Sequence, residues 1–462
     1  MQSLAANSAS GPTRELAAFV GRLDYNDLPR EVVEKAKECV LDQLGVQLIG
    51  STLPWVKPVF QFASDFVGPA QSTIVNHGLK TGACDCAMVN ATFGQSCELD
   101  DLVVKGGGHG GAATVPVALA LGEGQGSSGK EILTAIVAGY EVLSRISQAT
   151  PARSKRGFHT QSTVGVFAAA ATAAKMLKFD PDLIQHTMGV AGSHCSGTSE
   201  FDRSGGEVKR FHAGLAARNG LQSALLARYG LTGPLTILEG EKGFCRAFSD
   251  LSFDLAPITD GLGKGFEIKE TWFKVHPVVY GIQSPIDGMT ALIEQHNVEP
   301  KDVKEIHVKV NRQAASHGAA IYEPADVVSA QFSLAFSLAL RLLKKSNDLS
   351  LYMDSSLWRD EEMRRVARMV KVDPVETSRE DRYSSEVSLV LQNAKTLKSY
   401  QRFPYGHPKN PASGTFLKDK FKRLAGHVLS EQQIDDLIAL VDNLESLPNI
   451  KSLIPLLVRK DK

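Results

Sequence analysis

The segment VGVFAAAATAAKML at 164–177 narrows the choice of fold more than any other part of the chain. Alanine is the strongest helix former and adds almost no bulk. The run therefore predicts a helix that lies close against its neighbours or holds the centre of the molecule. Helical spacing surrounds it. Val32, Val33, Ala36, Cys39, Val40 and Leu44 share one face of a segment at 30–49, which Gly50 stops. Residues 112–122, AATVPVALALG, are small and apolar. Ser128 and Glu131 have the spacing of a capping box ahead of ILTAIVAGYEVLSRI. At 212–229, Ala216, Ala217, Leu221 and Leu225 point inward together.

Beyond about residue 270 the period shortens. Ile306, Val308 and Val310 alternate in KEIHVKVN (304–311), and Val387, Leu389 and Leu391 alternate in EVSLVL (386–391), the mark of half-buried strands. MVKVDPVE (369–376) reads as a third strand, with helical text between them at 330–344 and 360–369. Proline, glycine and asparagine crowd PYGHPKNPAS (404–413), a boundary loop. Helical spacing returns at 430–458, with Ile434, Leu437, Ile438 and Val441 on one face. The expected fold is mainly α with an inserted α+β domain. A large helical domain would come from both chain ends, 1–268 and 402–462, and a smaller α+β lid domain from 269–401.

Lys+Arg and Asp+Glu both number 51, so no basic excess suits the chain to nucleic acid, and any anion site must be a local cluster. No apolar run reaches the roughly 18–20 residues that span a bilayer. The opening MQSLAANSASGPTREL lacks a secretory signal and reads as a tail. Cys39, Cys84, Cys86, Cys97, Cys195 and Cys245 are scattered like reduced thiols, without zinc spacing. These features lead to an expected cytoplasmic location, or a mitochondrial one in a eukaryote. GQGSSGKE (124–131) imitates a phosphate loop but has Glu131 where a hydroxyl would hold magnesium. The glycine-rich loop at 105–111 lacks dinucleotide spacing.

Several segments occur in a fixed order: NATFGQSCELDD (90–101), HGGAATVPVALALGE (109–123), GKEILTAIVAGYEVLSRI (129–146), RGFHTQSTVG (156–165), KRFHAGLAARNGLQSALLARYGLTGP (209–234), FKVHPVVYGIQSPID (273–287), SAQFSLAFSLAL (329–340) and YGHPKNPASG (405–414). The ordered set resembles the MmgE/PrpD family, whose members dehydrate 2-methylcitrate, decarboxylate cis-aconitate or epimerise iminodisuccinate. The resemblance implies a helical domain with an inserted lid, a homodimer and a small polycarboxylate substrate. It also implies an active site in the cleft between domains, with no metal and no organic cofactor.

A proton beside a carboxylate is only weakly acidic. Removing it requires a base that works near neutrality and fixed positive charge where the new charge develops. Histidine and lysine are the side chains to look for. His109 lies in KGGGHGGAATVP, where glycines let backbone approach a ligand and a helix start offers N–H groups. On residues alone this reads equally as a surface loop; the resemblance carries a site histidine onto it. Glu98, Asp100 and Asp101 precede it, and Asp101 could fix the tautomer of a histidine. His159 sits at the approach to a helix N-terminus, where a neutral ring is favoured. Lys209 and His212, three apart, share a helix face. The family pattern makes Lys209 a carboxylate ligand, while Arg210 reads as solvated.

Lys274 also follows the family pattern. The chain departs from that pattern at four places: Glu98 replaces the usual Asp, Leu102 a Thr or similar residue, His276 a common Tyr and Gln283 a frequent His. His276, Gln283 and His317 are further substrate-binding candidates, followed by Tyr280 and Tyr322. The expected catalytic set is His109, His159, Asp101, Lys209 and Lys274. The first expectation for the activity is loss of water from a di- or tricarboxylate. Decarboxylation, epimerisation and a homologue without catalysis are the alternatives.

Overall fold

The structure, a computed structural model, describes residues 10–316, 318 and 321–460. His317 and the first nine residues of the expected tail lie outside the described residues. The chain is mainly helical, with a smaller region that carries a sheet. It divides into two compact units. Of the described residues, one holds those at 10–96, 100–272 and 414–460; the other holds those at 97–99 and between 273 and 413.

The first unit is built on seven helices: α1 (Arg30–Gly50), α2 (Ala83–Gly94), α3 (Gly110–Gln125), α4 (Gly129–Ala149), α5 (Thr160–Met176), α6 (Pro181–Gly192) and α7 (Val208–Arg228). The Ser128 hydroxyl and Glu131 carboxylate exchange hydrogen bonds with the first-turn backbone of α4, the expected capping box. Every residue of α5 from Gln161 to Ala174 is buried, and α3, α4, α6 and α7 all pack on it. The alanine run is thus the centre of the unit.

Contacts between α5 and α7 advance by four residues on both helices. A methyl group at Gly165 would sit 3.2 Å from the Ala216 Cβ, and one at Gly220 would sit 2.5 Å from the Ala169 Cβ. The helices therefore run in the same direction with their fourfold ridges interlocked. Extending that register back one turn reaches Gln161 on α5 and His212 on α7. From the other chain end, the helix Phe416–Ala425 packs on α1, where Lys420 meets Asp42 at 2.6 Å with both side chains buried. In the helix Glu431–Asp442, Ile434, Leu437, Ile438 and Val441 are buried as their spacing requires.

The second unit holds a four-stranded sheet of β1 (Val303–Asn311), β2 (Val370–Val375), β3 (Ser385–Leu391) and β4 (Thr396–Gln401), in the order β2-β1-β3-β4. β2 runs parallel to β1, with Val308 opposite Val372, while β3 and β4 pair antiparallel. A parallel neighbour needs a long crossover, which the helices between 327 and 368 supply. Ile306, Val308, Val310, Val387 and Leu389 face Ile282, Ile286 and Met289 of the helix Tyr280–His296 in one core. β4 is an element that the sequence reading left out. The loop at 404–413 stays with this unit because the Phe273 N–H donates to the Gly406 carbonyl at 3.4 Å and the Tyr405 N–H to Asp287 Oδ2 at 2.8 Å. No helix among the described residues is long and apolar enough to cross a membrane.

Gly220→Ala tests the close approach of α5 and α7. Helix propensity alone favours alanine by roughly 1 kcal/mol. A methyl group 2.5 Å from both the Ala169 Cβ and the Val166 carbonyl oxygen should reverse that sign. Urea unfolding should show a net loss of about 1–3 kcal/mol; a gain would contradict the packing.

Candidate active site

His109 caps α3 with an extended backbone. Its Nδ1 lies 2.8 Å from the Asp101 carbonyl oxygen and 2.8 Å from Asp100 Oδ2. A carbonyl can only accept, so Nδ1 carries the hydrogen and Nε2 holds the lone pair of the neutral ring. The backbone at His109 is clamped by one amide: its N–H donates to Gln161 Oε1 at 3.0 Å, and Gln161 Nε2 donates to its carbonyl at 3.1 Å. The ring is therefore held at two levels, through its own nitrogen and through the main chain.

The carboxylate expected to orient this ring does something else. Asp101 accepts from the Gly111 N–H at 3.0 Å and from the Tyr140 hydroxyl at 2.7 Å, tying the α3 N-terminus to α4. Gly110 makes that reach possible, because a methyl group there would sit 2.1 Å from the Tyr140 ring. Burial, reinforced by Asp42 and Asp100 and opposed by the Tyr140 hydrogen bond, pushes Asp101 up to about 7. Asp100 supplies the carboxylate to His109 instead.

His159 caps α5, and its Nδ1 lies 2.9 Å from Nδ1 of His212 on α7. One nitrogen of such a contact must donate and the other accept, so at least one ring is neutral; burial favours the neutral form of both, and two neutral rings in this contact have opposite tautomers. Between them the pair keeps one Nε2 lone pair and one Nε2–H. The Phe201 ring stands edge-on to both, with centroids at 5.2 and 5.7 Å. Burial, then the charge of Lys209, holds His212 down to about 4. Burial, then His212 and His109, keeps His159 well below the ordinary histidine range; Asp100 pulls the other way and Arg153 adds to the lowering. Lys209 is buried one turn before His212. Arg210, expected in solvent, is 5% exposed and stacks over the Trp55 ring at 4.2 Å, because its flat guanidinium can trade water for an aromatic face.

In the second unit, the Lys274 ammonium lies 3.2 Å from Glu98 Oε2, and both side chains are buried. Glu98 has a left-handed backbone with φ 59°, a strained conformation for a residue with a side chain. Gln283, expected to touch substrate, has its amide committed to the main chain. Its Oε1 accepts from the His276 N–H at 3.1 Å, and its Nε2 donates to the carbonyls of His276 at 2.7 Å and Val278 at 3.2 Å. An amide has a donor and an acceptor side by side, which suits it to clamp a loop. His276 Nε2 lies 3.3 Å from Asp287 Oδ1. The Tyr322 hydroxyl donates to the Val370 carbonyl at 3.2 Å, and the Tyr280 ring packs edge-on against Tyr383. In the first unit, Leu102 is buried in a two-residue strand opposite Trp272.

The chain matches the MmgE/PrpD N-terminal domain over residues 14–255 and the MmgE/PrpD C-terminal domain over 276–446. It belongs to the MmgE/PrpD family. Two relatives named cis-aconitate decarboxylase, from Aspergillus terreus and from Aspergillus terreus strain NIH 2624, are 28% and 26% identical over 99% of this chain and 98% of their own length. A protein of the same name from Mus musculus is 25% identical over 96% of this chain and 93% of its own.

In this MmgE/PrpD chain the first unit thus brings together Asp100, Asp101, His109, His159, Lys209 and His212, while Glu98, Lys274, His276 and Gln283 belong to the second. Gln161 and Tyr140 also serve the cluster, and the sequence reading missed them. Gln161 follows His159 by two residues in the quoted motif, which was the available signal; nothing around Tyr140 pointed to Asp101. None of the six cysteines forms a disulfide.

The neutral state of the histidine pair has a pH signature. An imidazole held neutral binds its proton far below its unfolded value, so its contribution to stability is complete above about 6.5 and is lost as pH falls towards the folded value. Asp101 and Glu141, both raised to about 7 chiefly by burial, act in the opposite sense. Comparison with His212→Gln removes their shared effect. Between about pH 7 and pH 5, the wild type should lose stability relative to that variant, by up to about 1.4 kcal/mol per pH unit below pH 6.5. A difference in urea unfolding that ignores pH would contradict the neutral assignment.

Proposed function

We propose that the chain is a lyase for a small polycarboxylate and that its reaction is decarboxylation of a cis-aconitate-like acid. The observation that carries this reading is a histidine held by a carboxylate, His109 with Asp100, beside a neutral histidine pair. Relatives named cis-aconitate decarboxylase, aligned along nearly the whole chain, support the choice of reaction.

In this reading Lys209 neutralises a substrate carboxylate. The bond between a carbon and its carboxylate breaks, CO2 departs, and the electron pair spreads over the neighbouring double bond and the remaining carboxylate. Protonation of carbon completes the step: the His109 Nε2 lone pair takes a proton from water and passes it to carbon, which returns the ring to its neutral form. Asp100, at the opposite nitrogen, stabilises the positive ring that carries it. The His159–His212 pair donates its free N–H to the substrate without adding charge. Lys209 is assigned carboxylate binding because it is buried one turn before His212 on α7, in the same unit as His109 and the pair.

Dehydration remains a second reading, favoured by the same pair. One Nε2 lone pair could take a proton next to a carboxylate, and an N–H could assist the departing hydroxide. Incubation with cis-aconitate, 2-methylcitrate and iminodisuccinate separates the chemistries. Release of CO2 from cis-aconitate is expected. Alkene formation from 2-methylcitrate without CO2 would establish dehydration, and loss of chirality in iminodisuccinate would establish epimerisation. His109→Ala should lower kcat by about 10²–10⁴-fold. Lys209→Ala should raise KM by roughly 10–150-fold, the equivalent of a charge-assisted bond of about 1.5–3 kcal/mol. Unchanged kinetics in both variants would reject the assignment, whereas a wild type that turns over none of the three acids would fit a homologue without catalysis.

A further inference from the structure

Arg153 is one of the largest fully buried side chains in the chain, at 1% exposure. It ends the single turn Pro151–Arg153 between α4 and α5. Among the described residues, its hydrogen-bond partners are all uncharged. Nη1 donates to the carbonyls of Thr150 at 2.7 Å and Ser147 at 3.2 Å and to the Thr150 hydroxyl at 2.7 Å. Nη2 donates to the hydroxyls of Thr160 at 3.0 Å and Ser147 at 3.2 Å. Nε is buried without a hydrogen-bond partner among the described residues.

A cation buried this deeply normally meets a carboxylate. Here the partial negative charge of the last carbonyls of α4 takes that place. The fork reaches from those carbonyls to the first residue of α5, next to His159. The turn then folds back on itself, with the Phe158 N–H donating to the Arg153 carbonyl at 3.1 Å. The guanidinium therefore holds the first residue of α5, Thr160, the direct neighbour of His159, at the positive end of that helix.

Among the described residues, the other groups that bear on the pair are His109 and Asp100 from the start of α3 and the loop before it, Lys209 from α7, and the uncharged Phe201 ring. Asp100 favours a charged ring, but His109 Nδ1 already lies 2.8 Å from its carboxylate. Burial opposes a charged ring most strongly in both; Lys209 adds to it at His212, and Arg153 adds to it at His159 after His212 and His109.

We propose that Arg153 is a positioning residue for the reaction above: its buried guanidinium, spanning the end of α4 and the start of α5, fixes where the His159–His212 pair sits and adds a fixed positive charge to the burial that disfavours a charged ring. The proposal rests on the functional reading for its role in turnover, but the state of the pair can be measured without substrate.

The test is a histidine-labelled NMR titration of the wild type and of Arg153→Gln, Arg153→Met and Arg153→Lys, together with the pH profile of kcat/KM. In the wild type, both rings should stay neutral down to about pH 5. In the Gln and Met variants, the pair should take up a proton at least about one pH unit higher, a tenfold change in proton affinity, and the acid limb of the profile should rise with it. Arg153→Lys keeps the charge and should keep the wild-type titration. A purely structural residue would lower activity without moving either curve. Folded Gln or Met variants whose titration stays within about 0.3 units of the wild type would overturn the proposal. If neither neutral variant folds, the wild type decides: a pair titrating near the ordinary histidine value overturns it. A shifted titration in a protein that turns over none of the tested acids would uphold the role of Arg153 and count against the lyase reading.

Discussion

Alanines and two glycines, Gly165 and Gly220, separate the backbones of α5 and α7, and the side chains at the start of both helices inherit that spacing. Because the contacts advance four residues at a time on each helix, one register sets the whole interface. Gly165 faces Ala216, Ala169 faces Gly220, and the turn before them presents Gln161, His159 and His212. Larger side chains between the helices would separate the two rings, and the 2.9 Å contact between their nitrogens would be lost. Gln161 passes the same constraint to the start of α3, where its amide holds the His109 backbone at both the N–H and the carbonyl.

Burial then decides the chemistry of each group. In an interior of low polarisability a lone charge is costly, so a buried ionisable side chain loses its charge, finds a counter-charge or, like Arg153, is held by helix-end carbonyls. The His159–His212 pair takes the first course. Lys274 with Glu98, and Lys420 with Asp42, take the second. Asp101 is raised towards neutrality and works as an anchor between α3 and α4. Asp100 stays against His109 and gives that ring a direction. Two neighbouring aspartates thus play different parts because one faces backbone and tyrosine while the other faces imidazole.

Much of the fold was legible because it rests on local rules. The helix Arg30–Gly50, the capping box at Ser128 and the strand Val303–Asn311 each carry their own period or terminus in a few residues. β4 was missed because TLKSYQ has only Leu397 buried on an edge strand, too little alternation to register. In the site, the histidines were legible by type and their partners were not. Asp100 and Asp101 differ only in which way each points. Gln283 looked like a substrate ligand until its amide proved to be filled by the 276–278 backbone. Arg153 and Arg210 look like surface residues in sequence; one is retained inside by helix-end carbonyls and the other by Trp55, contacts made only after folding.

The account stands on the claim that His109, the His159–His212 pair and Lys209 form one recognition site for an organic polyacid. A crystal structure with citrate tests it most directly. The account expects citrate oxygens within about 3.2 Å of His109 Nε2, of one Nε2 of the pair and of the Lys209 ammonium. Citrate bound elsewhere, with none of these four side chains touching it, would contradict the claim.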